Sequence, residues 1–130
     1  MKEVKEFLHN NSGKFYFVFR VVVGLMFLQH GAQKLFGMFG GNQVELISLM
    51  GLAGSIEFFG GLLIAVGLFT RVAALLGILD MSGAWILVHI PQGLIPILNG
   101  GELALMFLAS FLLILAYGTG RWGLDCYFKK

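Results

Sequence analysis

The sequence predicts an all-α integral membrane protein, a four-helix bundle whose termini both lie in the cytoplasm. Hydrophobic residues make up 58% of the 130 residues and charged residues only 12%, whereas a soluble domain carries about 25% charged residues. Too few polar side chains remain to cover the surface in water, so lipid must cover part of it. The length predicts one domain, residues 1–130.

Four apolar runs are long enough to cross a membrane. The bilayer core is about 30 Å thick, which requires about 20 helical residues. The predicted spans are 15–36, 51–69, 72–90 and 101–117, of which the fourth is the shortest. Runs of this length predict helices, which satisfy their own backbone polar groups where lipid cannot.

The orientation follows from the distribution of basic residues, which are concentrated on the cytoplasmic side of membrane proteins. Loops 37–50 and 91–100 contain neither Lys nor Arg. The basic residues outside the spans are Lys2, Lys5 and Lys14 before the first, Arg71 between the second and third, and Arg121, Lys129 and Lys130 after the fourth. All of these positions fall on one side of a four-span chain, so both termini are predicted to be cytoplasmic.

The two loops of the opposite side are unusually apolar. Residues 44–50 predict either a short interfacial helix or an extension of the second span. Residues 91–98 are predicted to lie on the membrane surface or to dip into it. No linker or low-complexity tract divides the chain.

Ionisable side chains within the spans indicate where the bundle interior lies, because each costs about 2.5–3.5 kcal/mol to expose to lipid. Arg20 lies about 8 Å and Asp80 about 12 Å from the cytoplasmic ends of their spans, at a helical rise of about 1.5 Å per residue. Their similar depths predict a structural ion pair between Arg20 and Asp80. A proton-relay role for Asp80 is the alternative.

A second group of titratable residues gathers near the outer face, with contributions from all four spans. Depth places them on one level, and the cost of exposing them to lipid turns them inward. They are therefore a candidate site for ligand binding and proton transfer, with a salt-bridge cluster that fixes helix register as the alternative. The members are His30, Lys34, Glu57, His89 and Glu102.

Asn99 precedes the fourth span and has Glu102 three residues after it. This spacing is typical of a capping box, in which the first side chain caps the helix N-terminus. Asn99 is therefore predicted to be the N-cap of the fourth span.

At these residues the sequence resembles the DoxX family of small bacterial and archaeal membrane proteins. The resemblance runs in order along nearly the whole chain. It rests on Arg20-x3-Gly24-x2-Phe27-x3-Gly31-x2-Lys34-Leu35, on Glu57-x2-Gly60-Gly61 continuing to Gly67 and Arg71, on Asn99-Gly100-Gly101-Glu102, and on Gly118-x-Gly120-x3-Leu124-Asp125. The resemblance implies a four-helix membrane bundle and a link to quinone-linked respiratory, thiol or oxidative-stress redox systems.

Two functions of different classes agree with these residues. The first is a subunit of a quinone-linked oxidoreductase, since carboxylates and imidazoles in an apolar pocket can exchange the protons that accompany quinone chemistry. The second is non-enzymatic, a small transporter or a membrane scaffold, and transport would require a homo-oligomer. A haem held by His30 and His89 is disfavoured, because histidines in a bundle more often form hydrogen bonds, and no other metal site is predicted.

Charge and cysteine content limit the partners. The net charge of +2 and the absence of a long basic run give no reason to expect nucleic acid. Cys126 is the only cysteine, so an internal disulfide is impossible. The expected surroundings are the lipid of a bacterial or archaeal plasma membrane, together with redox partner proteins.

Overall fold

The computed structural model describes residues 1–129, and all of the regular structure in that range is helical. The helices are α1 (Lys2–Phe36), α2 (Leu49–Val66), α3 (Thr70–Ala84), α4 (Pro96–Asn99), α5 (Glu102–Tyr117) and α6 (Asp125–Phe128). A π-helical turn, Trp85–His89, and a 3-10 turn, Ile90–Gln92, continue α3. The all-helical prediction is confirmed, and Lys130 lies outside the described residues.

Within residues 1–129, three helices are long and apolar enough to cross a membrane: α1, α2, and α3 with its continuation to Gln92. This is the composition of a membrane helical bundle. The fourth predicted span corresponds to α5, whose 16 residues measure about 24 Å, against the bilayer core of about 30 Å. A fourth crossing therefore stays a prediction.

The helices pack in the order α1, α2, α3, α5, with α1 lying along α2 and α3 packed against both α2 and α5. Helices α1 and α5 meet at few residues. The core contains Phe27 of α1, Ile64 of α2, and Phe107 and Phe111 of α5. Phe27 packs edge-on against Phe111, with ring centroids 4.6 Å apart, so aromatic stacking supplies part of the contact between the outer helices of this order.

Helix α1 approaches α2 so closely that the two backbones touch. A Cβ atom added at Gly24 would lie 2.5 Å from the backbone nitrogen of Ala65, and one at Gly31 would overlap the backbone of Phe58. Gly61 of α2 faces the backbone of Leu28 in the same way. The glycines that carry the family resemblance thus permit the close helix contact expected of small residues in membrane bundles.

Residues 44–48 are not helical, so the prediction of a short interfacial helix at 44–50 is wrong. The other alternative, an extension of α2, is confirmed for Leu49 and Met50 only. The Ser48 hydroxyl accepts a hydrogen bond from the N–H of Gly51, 3.0 Å away. This N-cap satisfies a backbone donor of the first turn and sets the start of α2.

The loop before α5 folds into the short helix α4 and leaves Leu94, Ile97 and Leu98 at least 73% exposed. Such an apolar loop agrees with the predicted position at the membrane surface, which stays a prediction. Asn99 is the last residue of α4, not the N-cap of α5, so the predicted capping box is wrong. The left-handed Gly100 separates the two helices, and Gly101 occupies the N-cap of α5 without a side-chain cap.

The end of the bundle that contains the α2–α3 turn is here called the basal end, and the opposite end the apical end. Arg20 is fully buried near the basal end and donates hydrogen bonds to the carbonyls of Ile64, Ala65 and Trp122. Its guanidinium therefore caps the C-terminus of α2 and anchors the chain that follows α5.

The predicted ion pair between Arg20 and Asp80 is wrong. Arg20 lies level with the last turn of α2, whereas Asp80 is ten residues along α3 from its basal start at Thr70, a distance of about 15 Å. The comparison of depths failed because α1 continues as a helix back to Lys2, so Phe15 does not mark a helix end.

The C-terminal segment is fastened to the α2–α3 turn. The backbone N–H of Asp125 donates to the carbonyl of Gly67, and the two Asp125 carboxylate oxygens accept from the N–H groups of Phe69 (2.7 Å) and Thr70 (2.9 Å). Phe69 has a positive φ of 47°, which is strained for an aromatic residue. A side chain 55 residues downstream of Thr70 thus supplies the cap of α3 that the adjacent sequence lacks.

We expect Asp125→Ala to destabilise the protein by about 0.5–2 kcal/mol, the usual cost of losing a helix cap. Partial burial raises the pKa of Asp125, but the hydrogen bonds from Thr70 and Phe69 outweigh it and lower the pKa below its ordinary value. The carboxylate therefore stabilises the fold above the ordinary pKa near 3.9, and the stabilisation is lost as the pH falls through the lowered pKa. Detergent-based thermal unfolding between neutral and acidic pH measures both effects. A variant with the wild-type acid sensitivity would contradict this assignment.

Candidate functional site

The charged centre of the bundle is an ion pair between α1 and α2. The Lys34 ammonium lies 2.7 Å from Oε1 and 2.6 Å from Oε2 of Glu57. The Glu57 side chain is only 4% exposed and that of Lys34 22%. The backbone contact at Gly31, one helical turn before Lys34, brings the two groups together. Such a pair in a low-dielectric interior holds its two helices in one register.

Two cavities meet at this ion pair. The larger, of about 480 Å³, is a groove between α2 and α3, here called the α2–α3 groove. The smaller, of about 220 Å³, lies between α1, α3 and α5, and is here called the apical cavity. Lys34, Glu57, Ala84 and His89 line both. The ion pair is therefore the wall between a groove open to the lipid side and a pocket at the apical end.

The two histidines of the predicted site line the apical cavity. His30 lies edge-on to Phe107, with ring centroids 5.8 Å apart. Nδ1 of His89 lies 3.1 Å from the backbone carbonyl oxygen of Asn99, and Nδ1 is the protonated ring nitrogen if that contact is a hydrogen bond. His89 is the last residue of the π-helical turn, and such turns are frequent at functional sites.

Glu102 lies outside this cluster. Its side chain is exposed, lines neither cavity, and forms no ion pair within residues 1–129. The prediction that Glu102 joins the other four residues is therefore wrong, since Glu102 is the first residue of α5 and its side chain is on the surface. The Asn99 side chain instead bonds the loop itself, accepting from the N–H of Gly101 and donating to the carbonyl of Gly93.

The structure places Asp80 beside this cluster, whereas the sequence predicts an ion pair between Asp80 and Arg20. Asp80 lines the α2–α3 groove with Lys34 and Glu57. Its Oδ2 atom is buried, and no described N–H or O–H group donates to it. The sequence feature that indicates this position is depth in the membrane, since Asp80 and Glu57 each lie near the middle of their helices.

The geometry does not suit a haem between the two histidines. A cavity of about 220 Å³ is smaller than the usual range of about 300–1,000 Å³ for small-molecule sites, and a porphyrin is larger than most such ligands. Within the described residues, no three His, Cys, Asp or Glu side chains form a group that could hold a metal ion. The cluster is instead suited to charge and proton chemistry.

A larger open recess of about 1,070 Å³ lies at the basal end, where the start of α1 passes the end of α5. His9, Arg121 and Cys126 are among its lining residues. The thiol of Cys126 already donates to the carbonyl of Gly120, and the recess contains no acidic side chain. The titratable side chains that different helices bring together line the α2–α3 groove and the apical cavity instead.

Comparison with known proteins agrees with this architecture. The sequence model of the DoxX family matches residues 15–90, which contain Arg20, Lys34, Glu57, Asp80 and His89. An uncharacterised protein of Haemophilus influenzae is 39% identical over 93% of this chain and 99% of its own length. No solved structure matches the chain.

Two further relatives carry descriptive names. An uncharacterised membrane protein of Mycobacterium tuberculosis is 32% identical over 85% of this chain and 79% of its own length. A Bacillus subtilis protein, named "Putative oxidoreductase CatD", is 31% identical over 85% of this chain and 84% of its own length. The chain therefore matches these three relatives over most of their lengths.

We expect Glu57→Leu alone to destabilise the bundle by about 3–5 kcal/mol, because it leaves a buried ammonium without its partner. The double variant Lys34→Met/Glu57→Leu should regain most of that loss, since an apolar pair of similar size removes the orphaned charge. Denaturant titration of both variants in one detergent measures the difference. Additive losses in the double variant would show that the two residues do not stabilise the bundle as a pair.

Proposed function

The chain belongs to the DoxX family of membrane proteins, and from this membership we propose that it is a subunit of a redox system that uses a quinone. The observation that most directly supports this proposal is the Lys34–Glu57 ion pair. It is buried between two cavities whose linings also include His30, His89 and Asp80. The name of the Bacillus subtilis relative supports an oxidoreductase system. The proposed redox system is either a respiratory system or one of the thiol or oxidative-stress systems that the family resemblance implies.

Quinone chemistry adds or removes protons together with electrons, and the cluster can supply the protons. Lys34 provides positive charge beside the ligand, and the Glu57 carboxylate or the His30 imidazole accepts or returns a proton. His89 is a second imidazole on the same cavity. The apolar walls of the two cavities exclude water, which strengthens each of these interactions.

The electrons have to come from another protein or a second ligand. The sequence contains no dinucleotide, flavin or iron–sulfur motif, so the proposal is a subunit that binds and protonates a quinone and passes electrons through a redox partner. A non-enzymatic transporter or scaffold is the competing class, and the ligand content of the purified protein distinguishes the two.

We also propose four crossings of the plasma membrane of a bacterium or archaeon, with both termini in the cytoplasm. The support is the absence of Lys and Arg from loops 37–50 and 91–100. Although α5 has only 16 residues, the exposed apolar residues of α4 precede it and extend the apolar stretch toward the membrane surface.

Labelling of Cys126, the only cysteine, tests the orientation. We expect an impermeant maleimide to label it only after the cells are permeabilised, because the basal end then faces the cytoplasm. The control is Asn42→Cys in a Cys126→Ser background, which should be labelled in intact cells. Labelling of Cys126 in intact cells would reverse the proposed orientation.

Extraction of the purified protein tests the function. We expect bound quinone in the wild type and in Glu102→Gln, the matched control outside the cluster. In Glu57→Gln the bound quinone should fall about tenfold, the effect of losing one charged hydrogen-bonding partner of about 1.4 kcal/mol. Circular dichroism and thermal unfolding check that each variant is folded.

Three results would contradict the proposal. Protein that carries no quinone and takes up none when it is supplied would favour the transporter or scaffold class. A Soret band in the absorbance spectrum would instead identify a haem protein. Equal quinone content in the Glu57→Gln and Glu102→Gln variants would separate quinone binding from this cluster.

A further inference from the structure

We propose that a hydroquinone, the hydroxyl-bearing form of the ligand, reaches the bundle through the α2–α3 groove and donates a hydrogen bond to Asp80. This inference rests on the proposed function and deepens it, since it names the opening, the contacting side chain and the redox form that binds. Three features of the groove carry it: its walls, its floor and its free space.

The walls of the groove consist of apolar side chains that also lie on the outer surface of the bundle. Leu52 on α2 is 58% exposed, and on the α3 side Leu79 and Leu87 are each 61% exposed. In a membrane these surfaces contact lipid tails. A ligand with an apolar tail can therefore pass from the bilayer into the groove without crossing water, and the volume of about 480 Å³ lies within the usual range for small-molecule sites.

The floor of the groove is formed by Lys34, Glu57 and Asp80. Glu57 is engaged through both of its oxygens by Lys34. Asp80 is the polar group whose hydrogen-bonding capacity is unfilled, because its buried Oδ2 receives no donor from the described residues. An apolar groove whose lining includes an acid with an unsatisfied oxygen has the composition expected of a ligand site.

The chemistry of that oxygen selects the ligand. Asp80 lines the groove beside Glu57, and its ionised carboxylate can only accept hydrogen bonds. The ligand that an ionised Asp80 binds must therefore be the donor, which a hydroquinone hydroxyl is and a quinone carbonyl is not.

The groove contains free space beside Gly83, and a substitution at this position can therefore block the groove in an experiment. Gly83 lines the groove, and a Cβ atom added there would meet no atom within 4 Å. We therefore expect a larger side chain at this position to occupy space in the groove. Ala109, exposed on α5 and part of neither cavity, is the matched position for a control.

The experiment measures binding of a short-tailed hydroquinone and of its quinone to the full chain in detergent, under anaerobic conditions. The variants are Asp80→Leu, which removes the acceptor, Gly83→Phe, which fills the groove, and Ala109→Phe as the control. We expect the wild type and Ala109→Phe to bind hydroquinone more tightly than quinone. Asp80→Leu should weaken hydroquinone binding about tenfold or more and abolish the preference, and Gly83→Phe should weaken the binding of both forms.

The outcomes separate this inference from the proposed function. Ligand binding that survives unchanged in Asp80→Leu and Gly83→Phe but is lost in Glu57→Gln would overturn the groove and leave the redox proposal intact. Equal wild-type affinity for the two ring forms would overturn the role of Asp80 as an acceptor. A wild type that binds neither form would overturn the proposed function and this inference together. Asp80 forms no ion pair within the described residues, so Asp80→Leu leaves no partner charge orphaned, and thermal unfolding of each variant checks that it is folded.

Discussion

The contact between the backbones of α1 and α2 is the constraint on which the rest of the bundle depends. In lipid, apolar side chains gain little by leaving the solvent, so helices associate through close packing and through polar contacts between them. Gly24 and Gly31 allow α2 to approach until the backbones touch. At that separation the ammonium of Lys34 reaches both oxygens of Glu57. A wider spacing would leave two charges facing apolar surroundings, so the packing and the electrostatics of the site are one arrangement.

At the basal end, charged side chains bind backbone groups that have no intrahelical partner because the helices end there. Arg20 of α1 donates to the last carbonyls of α2, and Arg71 of α3 donates to Leu115 and Ala116 at the end of α5. Each of the two helix pairs therefore carries an arginine on its first member that caps its second. Asp125 supplies the matching acceptor for the start of α3, so the three charged groups each satisfy backbone groups that a helix end leaves without an intrahelical partner.

Much of this architecture could be read from the sequence, because long apolar runs have one stable conformation in a bilayer. The all-helical fold, and the meeting of His30, Lys34, Glu57 and His89 around one cavity, agree with the residue spacing. Depth alone could not decide the partners, since it ignores the direction in which each side chain leaves its helix. Depth pairs Arg20 with Asp80, yet Arg20 binds the chain after α5, which has no local signal in the sequence, and Asp80 lies in the α2–α3 groove with Glu57.

The loop between α4 and α5 shows the same limit of prediction from the sequence. Asn99 and Glu102 have the spacing of a capping box, yet the chain forms the separate helix α4 first and reverses at Gly100, whose φ is 72°. The pattern describes which hydrogen bonds are possible, whereas the fold also depends on where the preceding helix ends. Glu102 consequently lies outside the cluster even though it is close in sequence to Gly100, which lines the apical cavity.

The π-helical turn at Trp85–His89 has a consequence for how the site could arise or disappear. Such a turn holds one residue more than the α-helical turn it replaces, and each added residue rotates everything after it by about 100°. The direction of the His89 ring therefore depends on a count of residues as much as on the presence of a histidine. A relative one residue shorter here would keep the same imidazole but point it about a quarter-turn away. Changes in chain length within this helix could thus alter the chemistry of the bundle while every cluster residue stays the same.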